Sequence, residues 1–111
     1  MAVEYEKKGH VAIITMNRPE ARNAINGEMA QTMEAALDQM ESDPEVWVGI
    51  LTAVGKAFCA GLDLSNFNAA PDPDRKPITE RTYGNANMWQ EVAMTWRKCP
   101  VPVIAAVHGV C

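Results

Sequence analysis

Polar and apolar positions alternate through Val3-Glu4-Tyr5-Glu6-Lys7-Lys8, the two-residue period of a half-exposed strand. Gly9 supplies a turn, and His10 to Met16 is a β-branched run suited to a more buried partner strand, so the two predict a hairpin. Asn17-Arg18-Pro19-Glu20 ends the pattern, because proline cannot donate to a sheet ladder and restrains the residue before it. From Asn26 the period becomes helical. Asn26 is the expected N-cap and Glu28 the acid that the helix dipole favours in the first turn. Met29, Met33, Ala36, Leu37 and Met40 share one face, while Glu34, Asp38 and Glu41 point away. The methionine stripe is read as core, since Met fills gaps in ordinary cores more often than it lines a pliable groove. Asp43-Pro44 closes the helix.

Val46 to Thr52 is nearly all apolar, as expected of a strand buried on both faces. A glycine-containing loop, Ala53 to Asp63, follows it, and the proline-rich, polar stretch 65–77 predicts a flexible loop. A second helix is expected from Thr79 to Lys98, with Met88, Val92 and Trp96 on one face and Trp89 and Ala93 beside them. Cys99-Pro100 stops it, and Val101 to Val107 is a further apolar strand. Alternating strands and helices of this kind argue for an α/β fold with parallel neighbours, and residues 1–111 are expected to form part of a single domain. A final apolar strand with nothing after it to cover it gives the expectation of a fragment.

Composition narrows the function classes. A hydrophobic fraction of 48% with 22% charged residues is that of a globular chain. The formal net charge is −4, with acids and bases interspersed, so no clustered basic surface predicts nucleic-acid or anionic-membrane binding. The longest apolar runs are about seven residues, against roughly 20 needed to cross a bilayer. Glu4, Glu6 and Lys7 interrupt any signal-peptide pattern. Cys59, Cys99 and Cys111 are an odd number without framework spacing and predict reduced thiols in a cytoplasmic protein.

Several chemistries lack their residues. Ser42 and Ser65 are the only serines, and neither lies in Gly-x-Ser-x-Gly. Gly55-Lys56 lacks the glycine and hydroxyl of a P-loop, and no Gly-x-Gly-x-x-Gly occurs. His108, Cys111 and Cys59 have too little ligand spacing for a metal site, so none is expected. The informative segment is Gly55-Lys56-Ala57-Phe58-Cys59-Ala60-Gly61-Leu62-Asp63-Leu64, just beyond an apolar strand. Its small residues let backbone approach a ligand, and ligands gather beyond strand carboxyl ends in open α/β sheets. From composition alone, an amide-donating loop and a plain strand-to-helix turn stand equally open.

Resemblance separates them. Ala57 to Leu64 resembles the Ala-Phe-x-Ala-Gly-x-Asp-Leu signature of the enoyl-CoA hydratase/isomerase (crotonase) superfamily at every specified position. Asn17-Arg18-Pro19-Glu20-Ala21-Arg22-Asn23-Ala24-Ile25 is similar to its Asn-Arg-Pro-x-x-x-Asn-Ala-Leu block, with isoleucine for leucine. Lys98 to Gly109 is similar to its Lys-Pro-x-Ile-Ala-Ala-Val-x-Gly strand. The three blocks keep their order and spacing and span the chain, which corresponds to the N-terminal portion of a family domain.

The resemblance implies a crotonase-like spiral of β-β-α units, here truncated, commonly assembled as a homotrimer or hexamer. It implies an acyl-CoA thioester as substrate, an enolate-like intermediate, and no cofactor, coenzyme A being part of the substrate. The backbone N–H of Leu62 is the implied oxyanion-hole donor. Ala60, Gly61, Asp63 and Leu64 are implied to line the substrate with it, Asp63 and Leu64 also fixing the turn, and Ala21, Arg22 and Ala24 are implied to line the CoA entrance. Arg22 stands open between a phosphate contact and a solvated loop arginine. The glutamates that handle water in hydratases lie later in such proteins, and Glu80 and Glu91 match neither. Hydratase is the default expectation; isomerase, another crotonase-type reaction and a non-catalytic CoA-binding module are the alternatives. The 111-residue chain alone is expected to be inactive.

Overall fold

The hairpin forms where the alternation places it. In the computed structural model, which describes residues 2–61, 63 and 88–111, β1 (Val3–Lys8) pairs antiparallel with β2 (Val11–Met16) in the register Val3 opposite Met16. His10 belongs to the turn with Gly9 and not to the strand. A short 3-10 turn (Pro19–Ala21) and helix α1 (Gly27–Ser42) lead to β3 (Val48–Ala53), then to α2 (Met88–Lys98) and β4 (Val103–Ala105). The sheet order is β1-β2-β3-β4, and both β2–β3 and β3–β4 are parallel. Residues 65–77 and the expected first part of the second helix, 79–87, lie outside the described residues.

Helix α1 is capped as its sequence predicts. The Asn26 side chain accepts the Met29 N–H at 2.9 Å, and Asp43 ends the helix, its own side chain accepting the Glu45 N–H. Met29, Met33, Ala36, Leu37 and Met40 are all buried, joined by Ala30. They pack on Val3, Ala12, Ile14 and Met16 of the hairpin to form the core. Burying a side chain such as Leu37 or Ile14 contributes about 1.5–3 kcal/mol. Met40 also explains Gly49 in β3, because a Cβ there would stand 2.7 Å from the Met40 sulfur. Glu34 does not simply face outward. Its carboxylate accepts the Thr95 hydroxyl of α2 at 3.0 Å, while Trp96 packs against the core and Ala93 is exposed.

Two strand expectations need correction. β3 starts at Val48, not Val46, and is not buried on both faces: Gly49 alone is fully buried. Helix α1 covers the face carrying Gly49 and Leu51; Val48 and Ile50 alternate onto the other face, where they are half-buried. Trp47, just before β3, is 66% exposed and stacks flat on His10 with ring centroids 3.5 Å apart. β4 is three residues long and partly exposed, with Ile104 at 59%, although its hydrogen bonds to β3 reach from Pro102 to Ala106. An apolar run reports a capacity to be buried on two faces, and here α1 supplies cover for one.

At the end of α1, Lys7 pairs with Asp43 at 2.9 Å and Glu45 at 2.8 Å. The Lys7 hydrogen bond, with the Glu45 amide second, holds the Asp43 carboxyl below its ordinary range. Hydrogen bonds to Glu45 and then Asp43 push the Lys7 ammonium above its own. A lowered carboxyl contributes stability that is complete above its unfolded value and lost as pH falls through the lowered one. A raised ammonium contributes below its unfolded value and loses this as pH rises through the raised one. Lys7→Met is therefore expected to lower the thermal midpoint at neutral pH, with the difference from the parent closing in acid. A difference that stays constant from neutral pH to the acid limit would show that only the lysine stem matters.

Candidate active site

The first block folds around a buried asparagine. After the 3-10 turn, Arg22 and Asn23 both take left-handed backbone (φ 53° and 57°), a conformation that costs a non-glycine residue roughly 1–2 kcal/mol. Asn23 offsets this with three hydrogen bonds. Its Oδ1 accepts the Arg18 N–H at 2.8 Å, and its Nδ2 donates to the carbonyls of Val54 and Ala57, both at 2.9 Å. The residue is 0% exposed. One side chain thus ties the 18–23 turn to the start of the 55–63 loop.

The loop is then stitched to the same block through main chain. Ala60 N–H donates to the Arg22 carbonyl (3.0 Å), Ile25 N–H to Gly61 (2.7 Å), and Asp63 N–H to Ile25 (2.9 Å). Gly61 adopts φ 91°, which L side chains rarely reach. Arg18 forks over the junction: Nη2 meets Asp63 Oδ2 at 2.8 Å, and Nη1 donates to the Ala24 carbonyl at 2.8 Å. Asp63 is 9% exposed, so this is a largely buried ion pair with an additional charge-assisted hydrogen bond.

The third block holds the loop from its other side. Ala57 bridges to Gly109 and Val110, and Phe58 N–H donates to the Val110 carbonyl at 2.9 Å. His108 lies 2.8 Å from the Gly55 carbonyl through Nε2; a carbonyl only accepts, so Nε2 carries the hydrogen. Phe58 meets the His108 ring edge-on. Gly109 has φ 61°, and a Cβ on it would stand 2.0 Å from the Lys56 carbonyl oxygen. No other residue fits this approach.

All three sequence blocks therefore meet at one edge. β2, β3 and β4 run parallel; the first two blocks follow the carboxyl ends of β2 and β3, and the third contains β4 and contributes the residues just after it, on the side where open α/β sheets receive ligands. Ala21, Arg22 and Ala24 come together with Ala60, Gly61 and Asp63, whereas Leu62 and Leu64 lie outside the described residues. The Arg22 side chain is exposed. Most loop amides are already used: those of Phe58, Ala60 and Asp63 donate to carbonyls, and Gly61 N–H faces the Cys59 sulfur at 3.4 Å. Among the described residues, no three His, Cys, Asp or Glu side chains come together as a metal site would require. Sequence reasoning singled out neither Arg18 nor Asn23 as a site residue. Their only signal was membership of the Asn-Arg-Pro block, since spacing does not reveal that a polar side chain will be buried.

An α/β unit with a main-chain loop pinned beyond parallel strand ends defines the class: a sheet protein with its small-residue loop at the carboxyl ends of the parallel strands, the side where open α/β sheets commonly receive ligands. The chain belongs to the enoyl-CoA hydratase/isomerase family, whose sequence profile matches residues 6–111. An enoyl-CoA hydratase of Mycobacterium tuberculosis is 39% identical over 104 residues, covering 94% of this chain and 38% of that protein. A 1,2-epoxyphenylacetyl-CoA isomerase of Escherichia coli is 37% identical over 111 residues, covering 97% and 40%. The crystal structure of an enoyl-CoA hydratase/isomerase from Mycobacterium paratuberculosis superposes with a TM-score of 0.78 at 33% identity, covering 100% of this chain and 42% of that one. The chain thus spans about two-fifths of the length of these relatives. Among the described residues, no helix is long and apolar enough to cross a membrane.

Proposed function

We propose that the whole protein carrying this sequence is an acyl-CoA enzyme that stabilises a thioester enolate, with hydration of a 2-enoyl-CoA as its reaction. The observation that carries this is the convergence of the three blocks around the 55–63 loop. In this reading the thioester oxygen meets the Leu62 amide. Ala60 and Gly61 lie close to the CoA adenine and pantetheine, with Asp63 and Leu64 fixing the turn, and Ala21, Arg22 and Ala24 line the CoA entrance. The Leu62 N–H donates to the thioester oxygen as it gains charge, which is the kind of preorganised donor that contributes most to such reactions. Two features support that choice of amide. The neighbouring amides of Ala60 and Asp63 are committed to carbonyls, and Ile25 holds the peptide groups of Gly61 and Asp63 on either side of position 62.

Addition of water also needs a base for the water and a proton donor for the α carbon. Neither Glu80 nor Glu91 is given that role, and the 111-residue chain by itself is proposed to be inactive. Assembly as a trimer or hexamer in the cytoplasm belongs to the same reading. The isomerase alternative is favoured by one observation: the E. coli isomerase is nearly as similar as the M. tuberculosis hydratase. Incubating the full-length protein with a short 2-enoyl-CoA and following product mass separates the two. Gain of one water supports hydratase, while a shifted double bond at unchanged mass supports isomerase. Tight binding without either product would replace the proposal with a CoA-binding module.

A further inference from the structure

Arg18 joins the two segments to which the proposed function assigns separate tasks. Its Nη1 bonds the Ala24 carbonyl in the segment read as the CoA entrance, and its Nη2 bonds the carboxylate of Asp63, next to the proposed oxyanion donor. Its own N–H is held by Asn23, which also grips Val54 and Ala57. The guanidinium is thus anchored at its base and forked at its tip. A planar fork can serve two acceptors at once in fixed directions, which an ammonium, as a point charge on a flexible stem, cannot.

We infer that Arg18 is a positioning residue for the reaction, setting the distance between the 22–25 segment and the Gly61–Asp63 peptide groups, and through them the oxyanion donor. This rests on the proposed function. Positional errors of about 1 Å in a reacting group can lower turnover by as much as 100-fold without contact to the chemistry. Arg18 touches no reacting atom in this scheme, and its influence passes entirely through backbone.

The test uses the full-length enzyme and three variants. Arg18→Lys keeps a positive charge beside Asp63 and hence the fold, but gives up the fork. Its kcat should fall by about 10-fold or more with KM changed much less, as expected when an interaction realised in the transition state is weakened. Vibrational spectra of a bound saturated acyl-CoA should show the thioester carbonyl less polarised than in the parent. Arg18→Met leaves the Asp63 carboxylate buried without its guanidinium and should be the less stable variant. Arg18→Met with Asp63→Asn removes that charge, and should recover thermal stability while kcat stays low. Parental kcat and carbonyl frequency in Arg18→Lys would overturn the inference. So would recovery of kcat together with stability in the double variant, which would make the role purely structural. If the parent enzyme itself leaves the bound carbonyl unpolarised, it is the oxyanion reading that fails, and the positioning role fails with it.

Discussion

Asn23→Ala is expected to destabilise the protein by about 4 kcal/mol, because it leaves several buried backbone groups without partners at about 1–3 kcal/mol each. The groups are the Arg18 N–H and the carbonyls of Val54 and Ala57, all of which meet this one side chain. Alanine also sits poorly at φ 57°, where asparagine is among the better-tolerated residues. Asn23→Gly relaxes the backbone but loses the same hydrogen bonds, so it should recover only a minor part of the loss. Unfolding midpoints in urea measure both variants. If glycine restored most of the stability, backbone conformation would be the main role of position 23 and the three hydrogen bonds would be secondary. If both variants matched the parent, water would be replacing the side chain in a site the structure shows as closed.

Leu62→Pro in the full-length enzyme is expected to lower turnover by about 100- to 1000-fold, the usual effect of removing one oxyanion donor. Proline lacks the N–H, whereas Leu62→Ala keeps it and should retain most activity. Proline also fixes φ, so the loop could move for reasons unrelated to the donor. Replacing the Leu62 amide by an ester through semisynthesis removes the N–H while keeping the side chain and the backbone freedom. Circular dichroism and binding of a saturated acyl-CoA establish that each variant folds and binds. Equal loss in the alanine and proline variants would assign the effect to the leucine side chain and end the oxyanion assignment. Full activity in the ester variant would do the same.

These two positions differ in how far the sequence reveals them. Position 62 is marked by the small-residue loop and its resemblance to a family signature, because close backbone approach requires small residues locally. Asn23 and Arg18 lie in a matching block too, yet nothing in their spacing distinguishes a buried tether from a solvated turn. Their importance comes from carbonyls 31 and 34 positions away and from a carboxylate on another loop, as in the Asn23 bonds to Val54 and Ala57 and the Arg18 pair with Asp63.

The sequence by itself determined what depends on neighbours along the chain. The period of Val3 to Lys8 defined a strand, the Asn26 cap and Asp43-Pro44 bounded α1, and the methionine spacing chose its buried face. Each follows from backbone geometry and side-chain alternation within a few residues. Burial of β3 and β4 was decided elsewhere. Whether a strand is covered on two faces depends on what packs against it, and α1 packs on only one face of this sheet, leaving Ile104 exposed. The site was also a tertiary outcome. Residues 17–26, 55–63 and 108–110 are distant in sequence and meet because β2, β3 and β4 lie parallel, which brings the segments after their carboxyl ends to the same edge of the sheet.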